Sequence, residues 1–553
     1  MENFSSNRFR VGVPSLFANL RFDQPHMTRL LLLLLFTTIA ASSQNLKSGG
    51  KLKPEQAIMD IRHYTIVLEV DPEQKTIRGY TEIDLILTKK SSVLLFDFWK
   101  GLQVSQVFVN GKKRPFQHGE DHMIRIEQNL DAGKAKVKID YGGKPGIAVQ
   151  APWTGGFQFE KDSKGNPWIA ITCQGEGGKI FFPCKDHPSD EPNEGADLIL
   201  TVPKGLIAVG AGLLIKESSK KDKTTFHWKT NYPISNYNLV FNIGKYKKVS
   251  RTYTTIDGNK VPMMFYVLEE NADKGEHMLD MLERTSRTLE KYFGEYPWVK
   301  EKIGLCETPH LGMEHQTNIA YGNQYRYTKV GGEDFDWLLN HEFGHEWWGN
   351  KVTNKDWAHM WIQEGICSFG DALYIREMEG EESYLKRMAG VARQTNNQLP
   401  IVQGDEIDSD QSYHGDIYGK GAFFMHSLRY VMGDDLFFPA LKKLATDPQY
   451  TYDNAITTDD VEKLFSQAYG KNLKPFFDLF LRTPNKLEIG VRQTDSDKYT
   501  VQLTNLAMEI PIEVITDAGQ QRLIIGKNAV TITSKTMPVI DSRVYYLKKV
   551  VIE

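Results

Sequence analysis

The chain has 553 residues, with 67 Lys and Arg against 70 Asp and Glu, for a net charge of −3. Hydrophobic residues make up 41% and charged residues 25%. That balance excludes a basic nucleic-acid-binding surface and a disordered chain, and the length exceeds what one core normally holds, so several domains are expected.

Met27-Thr28-Arg29 precedes the run Leu30 to Phe36, which is followed by the small and polar residues TTIAASSQ. One positive charge, a short apolar run and small residues are the order of a secretory signal, with cleavage near Ser43–Gln44 and Met27 as a candidate start. Residues 1–43 are therefore read as a leader, and the mature protein as exported, periplasmic or secreted. A membrane anchor or a buried strand are the alternatives. No later segment is apolar for long enough to span a bilayer, so no stable membrane insertion is expected once the leader is removed. Four cysteines follow, Cys173, Cys184, Cys306 and Cys367. Their spacing is not that of a cysteine zinc site, and Cys173 and Cys184 are read equally as a disulfide or as free thiols.

Residues 44–250 carry the strand pattern HYTIVLEV, YTEIDLIL and SVLLFDFW, separated by turn sequences, which predicts an N-terminal antiparallel β domain. Residues 251–485 begin with one more strand, VPMMFYVLEE, and then change period. Met278, Leu282 and Leu289 recur at helical spacing, with Gly294 and Pro297 as the stop. Helices are expected around His341 and Trp361, from Glu382 to Arg393, from Gly421 to Val431, and after Thr458, where Thr458 or Asp459 is the candidate N-cap. Residues 486–553 return to alternating strands, giving a small C-terminal β domain. The fold class is multidomain α+β.

The chemistry concentrates in HEFGHEWWGNKVTNKDWAHMWIQEG, from His341 to Gly365. His341 and His345 are four apart and share one helix face, so both imidazoles can meet one ion. Neutral imidazole suits zinc, and a catalytic zinc usually takes three protein ligands. Glu364, eighteen intervening residues on, is the candidate third ligand. One Zn2+ per chain is expected. Glu342 is offset around the helix toward the open metal position, where a carboxylate serves as general base to a zinc-activated water. Asp371, two turns past Glu364, is either an orienting partner for a ligand histidine or a solvated helix carboxylate.

These blocks resemble the aminopeptidase N and leukotriene hydrolase group of zinc metallopeptidases, from about Asp60 to Leu487. Beside the zinc block, LGMEHQTNIAYGN is similar to that family's G-x-M-E-N strand, YGKG from Tyr418 to Gly421 to its Y-x-K-G, and QGEGGKIFFPCKDHP to its substrate-binding segment. The resemblance implies a saddle-like N-terminal β domain and a thermolysin-like, mostly helical catalytic domain. It also implies that Glu314 binds the substrate α-amino group, with Gln174 sharing the task through its amide oxygen. Gly312 and Met313 would hold substrate backbone, and Tyr418 would donate to the oxyanion, with Tyr413 as its rival. A hydrolase acting on peptides with a free N-terminus follows.

Two positions depart from the family pattern. Leu311 replaces its glycine, which narrows the pocket, and His315 replaces its asparagine, where it either holds Glu314 or titrates near neutral pH. Only about seventy residues follow Pro484, and they read as strands. An open cleft is therefore expected, without a carboxylate site contributed by a C-terminal helical domain. A zinc endopeptidase, a non-catalytic peptide-binding module of the same fold, and hydrolysis of a non-peptide substrate are the competing readings.

Overall fold

The computed structural model describes residues 46–553, so the expected leader lies outside the described residues. Strand Met59–Asp71 alternates buried and outward-facing side chains, and it pairs antiparallel with Thr76–Leu87 along its length. It lies inside an eight-stranded sheet that is antiparallel except at one junction, where Tyr64 to Glu69 run parallel to Ala196 to Thr201. A parallel pair needs a long crossover. Residues 72–195 supply it, a connection that local alternation cannot reveal. A four-stranded sheet and a three-stranded sheet pack with the large one around a shared core that includes Ile66, Ile83, Phe96, Phe157 and Phe181.

The expected boundary at residue 250 falls inside strand Tyr246–Thr254. That strand is one edge of a five-stranded mixed sheet, followed in space by Lys260–Leu268, Ile303–Glu307, Ile319–Tyr321 and Gly312–Met313. Alternation sorts its side chains onto two cores. Met263, Phe265, Val267 and Leu305 face the helices, whereas Tyr266, Leu268, Cys306, Met313 and Ala320 join the N-terminal core. Both faces are covered, and Ile303–Glu307 is buried at every position, as a central parallel strand should be. The other edge, Gly312–Met313, is paired on one side only, leaving its outer backbone groups free to take an added strand.

Helix α1 (Gly275–Phe293) buries Met278, Leu282 and Leu289 as their spacing predicts, and ends at Gly294 with φ 91°. Helix α2 (Trp337–Gly344) starts at Asp336, whose carboxylate accepts from the Leu338 and Leu339 amides. Helices α3 (Trp361–Glu379) and α4 (Glu381–Gln394) are separated by Gly380 at φ 88°. Helix α5 (Asp416–Met432) starts five residues before the predicted Gly421. The later helix Thr458–Tyr469 is capped by Thr457, one residue before the expected cap, because Thr457 and Asp460 close a reciprocal capping box.

The C-terminal strands form a four-stranded and a three-stranded sheet. Their apolar side chains, among them Leu487, Ile512 and Tyr546, share one core with the helices. All four cysteines are buried free thiols, so the Cys173–Cys184 alternative is not formed. Among the described residues, no helix is long and apolar enough to cross a membrane.

Candidate metal centre and substrate cleft

Helix α2 is short, and its last turn presents His341 and Glu342 while His345 sits at its C-cap with helical backbone. Glu364 comes from the first turn of α3. The three ligand atoms converge. His341 Nε2 lies 3.3 Å from His345 Nε2, and Glu364 Oε2 lies 3.4 Å and 3.3 Å from those two nitrogens. Bonds of about 2.0–2.1 Å at tetrahedral angles put ligand atoms about 3.3–3.4 Å apart, so these edges fit one face of a zinc tetrahedron. Glu364 Oε2 is buried without a hydrogen-bond partner, an arrangement that a cation would satisfy. Burial pushes the Glu364 carboxyl up, but the His345 and His341 imidazoles beside it prevail and hold it at about 2.

The outer nitrogens are fixed as well. His345 Nδ1 meets the Trp348 carbonyl at 2.8 Å and His341 Nδ1 meets Asp371 Oδ2 at 3.0 Å. Each contact puts the ring proton on Nδ1 and leaves the Nε2 lone pair for the metal. Asp371 is therefore hydrogen-bonded to the candidate ligand His341 rather than left to solvent, and Asn340 Nδ2 donates to its other oxygen at 2.7 Å. Cys367 Sγ also lies close enough to group with the two histidines, but it donates to the His341 carbonyl at 2.9 Å.

Two glycines bring Tyr418 to this centre. A Cβ on Gly365 would stand 2.7 Å from Gly421 Cα, so α3 and α5 touch backbone to backbone there. Gly365 follows the ligand Glu364, and Gly421 ends the YGKG segment that starts with Tyr418. The ring of Tyr418 stacks over His341 with centroids 6.0 Å apart. Tyr413 is not a separate rival. Its hydroxyl is hydrogen-bonded to the Tyr418 hydroxyl at 2.5 Å, which makes the two phenols one chain of donors.

Beside this centre, with the Glu314 carboxylate within 4.8 Å of the Glu342 and His345 ligand atoms, Gln174 Nε2 and Tyr237 Oη both donate to Glu314 Oε1, the latter at 2.9 Å. Gln174 therefore spends its amide nitrogen on Glu314 and keeps its oxygen for a ligand. Asn350 Nδ2 holds the Glu314 carbonyl at 2.8 Å. Burial pushes the Glu314 carboxyl up from the ordinary range. Tyr237 was missed in the sequence because nothing in SNYNLVF marks it out; only the fold brings it to Glu314. Gly312 has a stronger reason to be glycine than substrate contact alone. A Cβ there would lie 2.8 Å from Glu342 Oε1 and 2.7 Å from Leu338 Cδ1. Burial pushes the Glu342 carboxyl up to about 8, against the pull of both histidines.

His315 does neither of the things expected of it. It is fully buried, neither ring nitrogen has a hydrogen-bond partner, and burial holds its pKa well below the usual value. The Glu314 carboxylate takes its side-chain hydrogen bonds from Gln174 and Tyr237 instead. Leu311 does line the cleft, as its bulk predicts. The cleft has a volume of about 660 Å³ and takes in Gln174, Glu314, Glu342, Glu364 and Tyr418 together.

Residues 61–238 match the Peptidase M1 N-terminal domain and residues 277–480 the Peptidase family M1 domain, together well over half of the chain. The chain belongs to peptidase family M1. Curated relatives are distant. A leucyl aminopeptidase of Saccharolobus solfataricus is 21% identical, over 77% of this chain and 54% of its own length. Leukotriene A-4 hydrolase of Xenopus laevis is 23% identical, over 76% and 70%. Aminopeptidase N of Lactococcus lactis is 22% identical, over 78% and 52%. The chain thus spans about half the length of two of these relatives. The M1 zinc metallopeptidase of Deinococcus radiodurans has the same fold, with a TM-score of 0.66 at 21% identity over 79% of this chain and 96% of that one. A mutant of that protein has been crystallised with a Tyr-Ser-Ala substrate, and it superposes with a TM-score of 0.64 at 20% identity over 76% and 94% of the two chains.

Proposed function

We propose that this M1 family member is an exported zinc aminopeptidase that hydrolyses the first peptide bond of substrates with a free N-terminus. The observation that carries the reading is the carboxylate of Glu314, held by Gln174 and Tyr237 in the same cleft as the His341, His345 and Glu364 triad. A buried carboxylate is the natural partner for a substrate ammonium, and its placement limits how far into a chain cleavage can occur. An endopeptidase has no use for such an anchor.

Zinc held by the triad supplies Lewis-acid polarisation of a carbonyl oxygen and acidifies water. The chain's own residues do the rest. Glu314 and the Gln174 amide oxygen seat the amine. The free edge of Gly312–Met313 takes the substrate backbone as an added antiparallel strand, which runs from the Glu314 end toward Leu311. Glu342 takes the proton of the attacking water and returns it to the departing amine. Tyr418 donates its hydroxyl hydrogen to the carbonyl oxygen as charge builds there, and Tyr413 donates in turn to Tyr418. Asp371 and the Trp348 carbonyl keep both imidazoles in the tautomer that faces the ion.

Export rests on the leader pattern before Gln44 and is tested by sequencing the N-terminus of the protein recovered from the producing cell's exterior fractions. The enzymatic reading is tested with leucine arylamide. Purified protein should release the arylamine, lose the activity to a chelator, and regain it with zinc. Glu342→Gln should keep its zinc yet lose turnover. A folded, zinc-loaded protein that leaves the arylamide intact contradicts the proposal.

A further inference from the structure

The charged groups of the cleft are unevenly placed. Glu314, Glu342, Glu364, Asp371 and Asp410 are acidic, and among the described residues lining the cleft the one permanent cation is Arg387. It is half-buried on α4, which packs against the helix α3 that carries Asp371 and Ser368, whereas the amine anchor Glu314 directly follows the Gly312–Met313 edge. Two nearby arginines of the helical layer are engaged. Arg376 and Arg429 both bind Glu381 and Asp434. Arg387 takes no such partner among the described residues. Asp371, the cleft carboxylate on the adjoining helix α3, is already committed on one oxygen to Asn340 and on the other to His341.

A guanidinium left unpaired at the side of a cleft, where the local charge is otherwise negative, is a receptor for a carboxylate. A peptide laid against the edge strand has its amine at Glu314 and its scissile carbonyl at the metal triad, so its remaining residues leave the centre on the side away from the anchor. We propose that Arg387 binds a substrate carboxylate beyond the scissile bond, and thereby favours short peptides whose C-terminal carboxylate, or an acidic side chain, reaches it. This deepens the aminopeptidase reading and rests on it.

The test uses three peptides: Leu-Gly-Gly with a free carboxylate, its C-terminal amide, and the amide of Leu-Glu-Gly. Each is assayed with the wild type, Arg387→Met and Arg387→Lys. The wild type should prefer the free acid over the amide about tenfold in kcat/KM, chiefly through KM, as expected for one charge-assisted hydrogen-bonded pair. Arg387→Met should erase that preference and Arg387→Lys should keep part of it. A gain for the Leu-Glu-Gly amide that disappears in Arg387→Met assigns the site to acidic side chains; a gain confined to free Leu-Gly-Gly assigns it to the chain terminus. An acid-to-amide ratio equal in wild type and Arg387→Met overturns the proposal. Leucine arylamide separates the two levels: if the wild type cleaves it, an unchanged ratio sinks Arg387 alone, and if it does not, the aminopeptidase reading goes as well.

Discussion

Replacing Gly312 by alanine should damage catalysis far more than stability. The added methyl would sit 2.8 Å from Glu342 Oε1 and 2.7 Å from Leu338 Cδ1. Carbon and oxygen need about 3.3 Å, so one of the groups must retreat by about half an ångström. Gly312 has no positive φ that alanine would resist. The atoms in the way are ends of flexible side chains rather than backbone, so the fold relieves the clash cheaply by turning Glu342 aside. In the proposed mechanism that group takes and returns the proton, and since about 1 Å of misplacement costs about a hundredfold in rate, half of that costs about tenfold. Steady-state kinetics on leucine arylamide should show kcat down about tenfold, with zinc content unchanged and a melting temperature within a few degrees of wild type. A Gly312→Ala enzyme with wild-type kcat would refute the packing argument, as would one that simply unfolds.

Four further outcomes follow from the geometry. Tyr237→Phe removes the 2.9 Å donor to Glu314 and should raise KM about tenfold for free-amine substrates, the worth of one hydrogen bond to a charged group; an unchanged KM detaches Tyr237 from amine binding. Asp371→Ala frees the His341 ring and should weaken zinc binding about 10- to 100-fold in a chelator competition. Gly421→Ala wedges α5 off α3 at their backbone contact and should cost about 1–3 kcal/mol in urea unfolding, together with lost turnover as Tyr418 is displaced. His426 is buried, and burial with Arg429 nearby lowers its pKa to about 3. Its unfolded form binds a proton below about pH 6.5 that the native form refuses, so this contribution to stability is present above that pH and is lost on acidification. Between pH 7 and 5 the wild type should therefore lose about 2 kcal/mol relative to His426→Gln, and a gap between the two that stays constant with pH would contradict it.

Much of the site was legible because its chemistry demands residue types at short fixed spacings. His341, Glu342 and His345 share one helical turn, and Glu364 follows within a single helix connection. Glu314 and Tyr418 were reached through family resemblance, since one carboxylate on an extended segment or one tyrosine on a helix carries no local signal. Tyr237 escaped altogether, because its role is a contact across 77 residues created by the meeting of two cores. His315 was misread for a related reason: its complete burial without partners is set by the fold and not by its place beside Glu314 in sequence. In the fold, alternation and helical period located most elements, but the parallel Tyr64–Ala196 junction and the strand running through residue 250 depend on long-range pairing. The cap at Thr457 rather than Thr458 was set by which hydroxyl could meet Asp460.

The central claim is that Glu314 measures from the free amine. It is tested most directly with one decapeptide in two forms, free and N-acetylated, digested by the zinc-loaded protein and read by mass. The account predicts stepwise loss of N-terminal residues from the free form, no cleavage of the acetylated form, and no cleavage of either with chelator. Equal internal cleavage of both forms would contradict it.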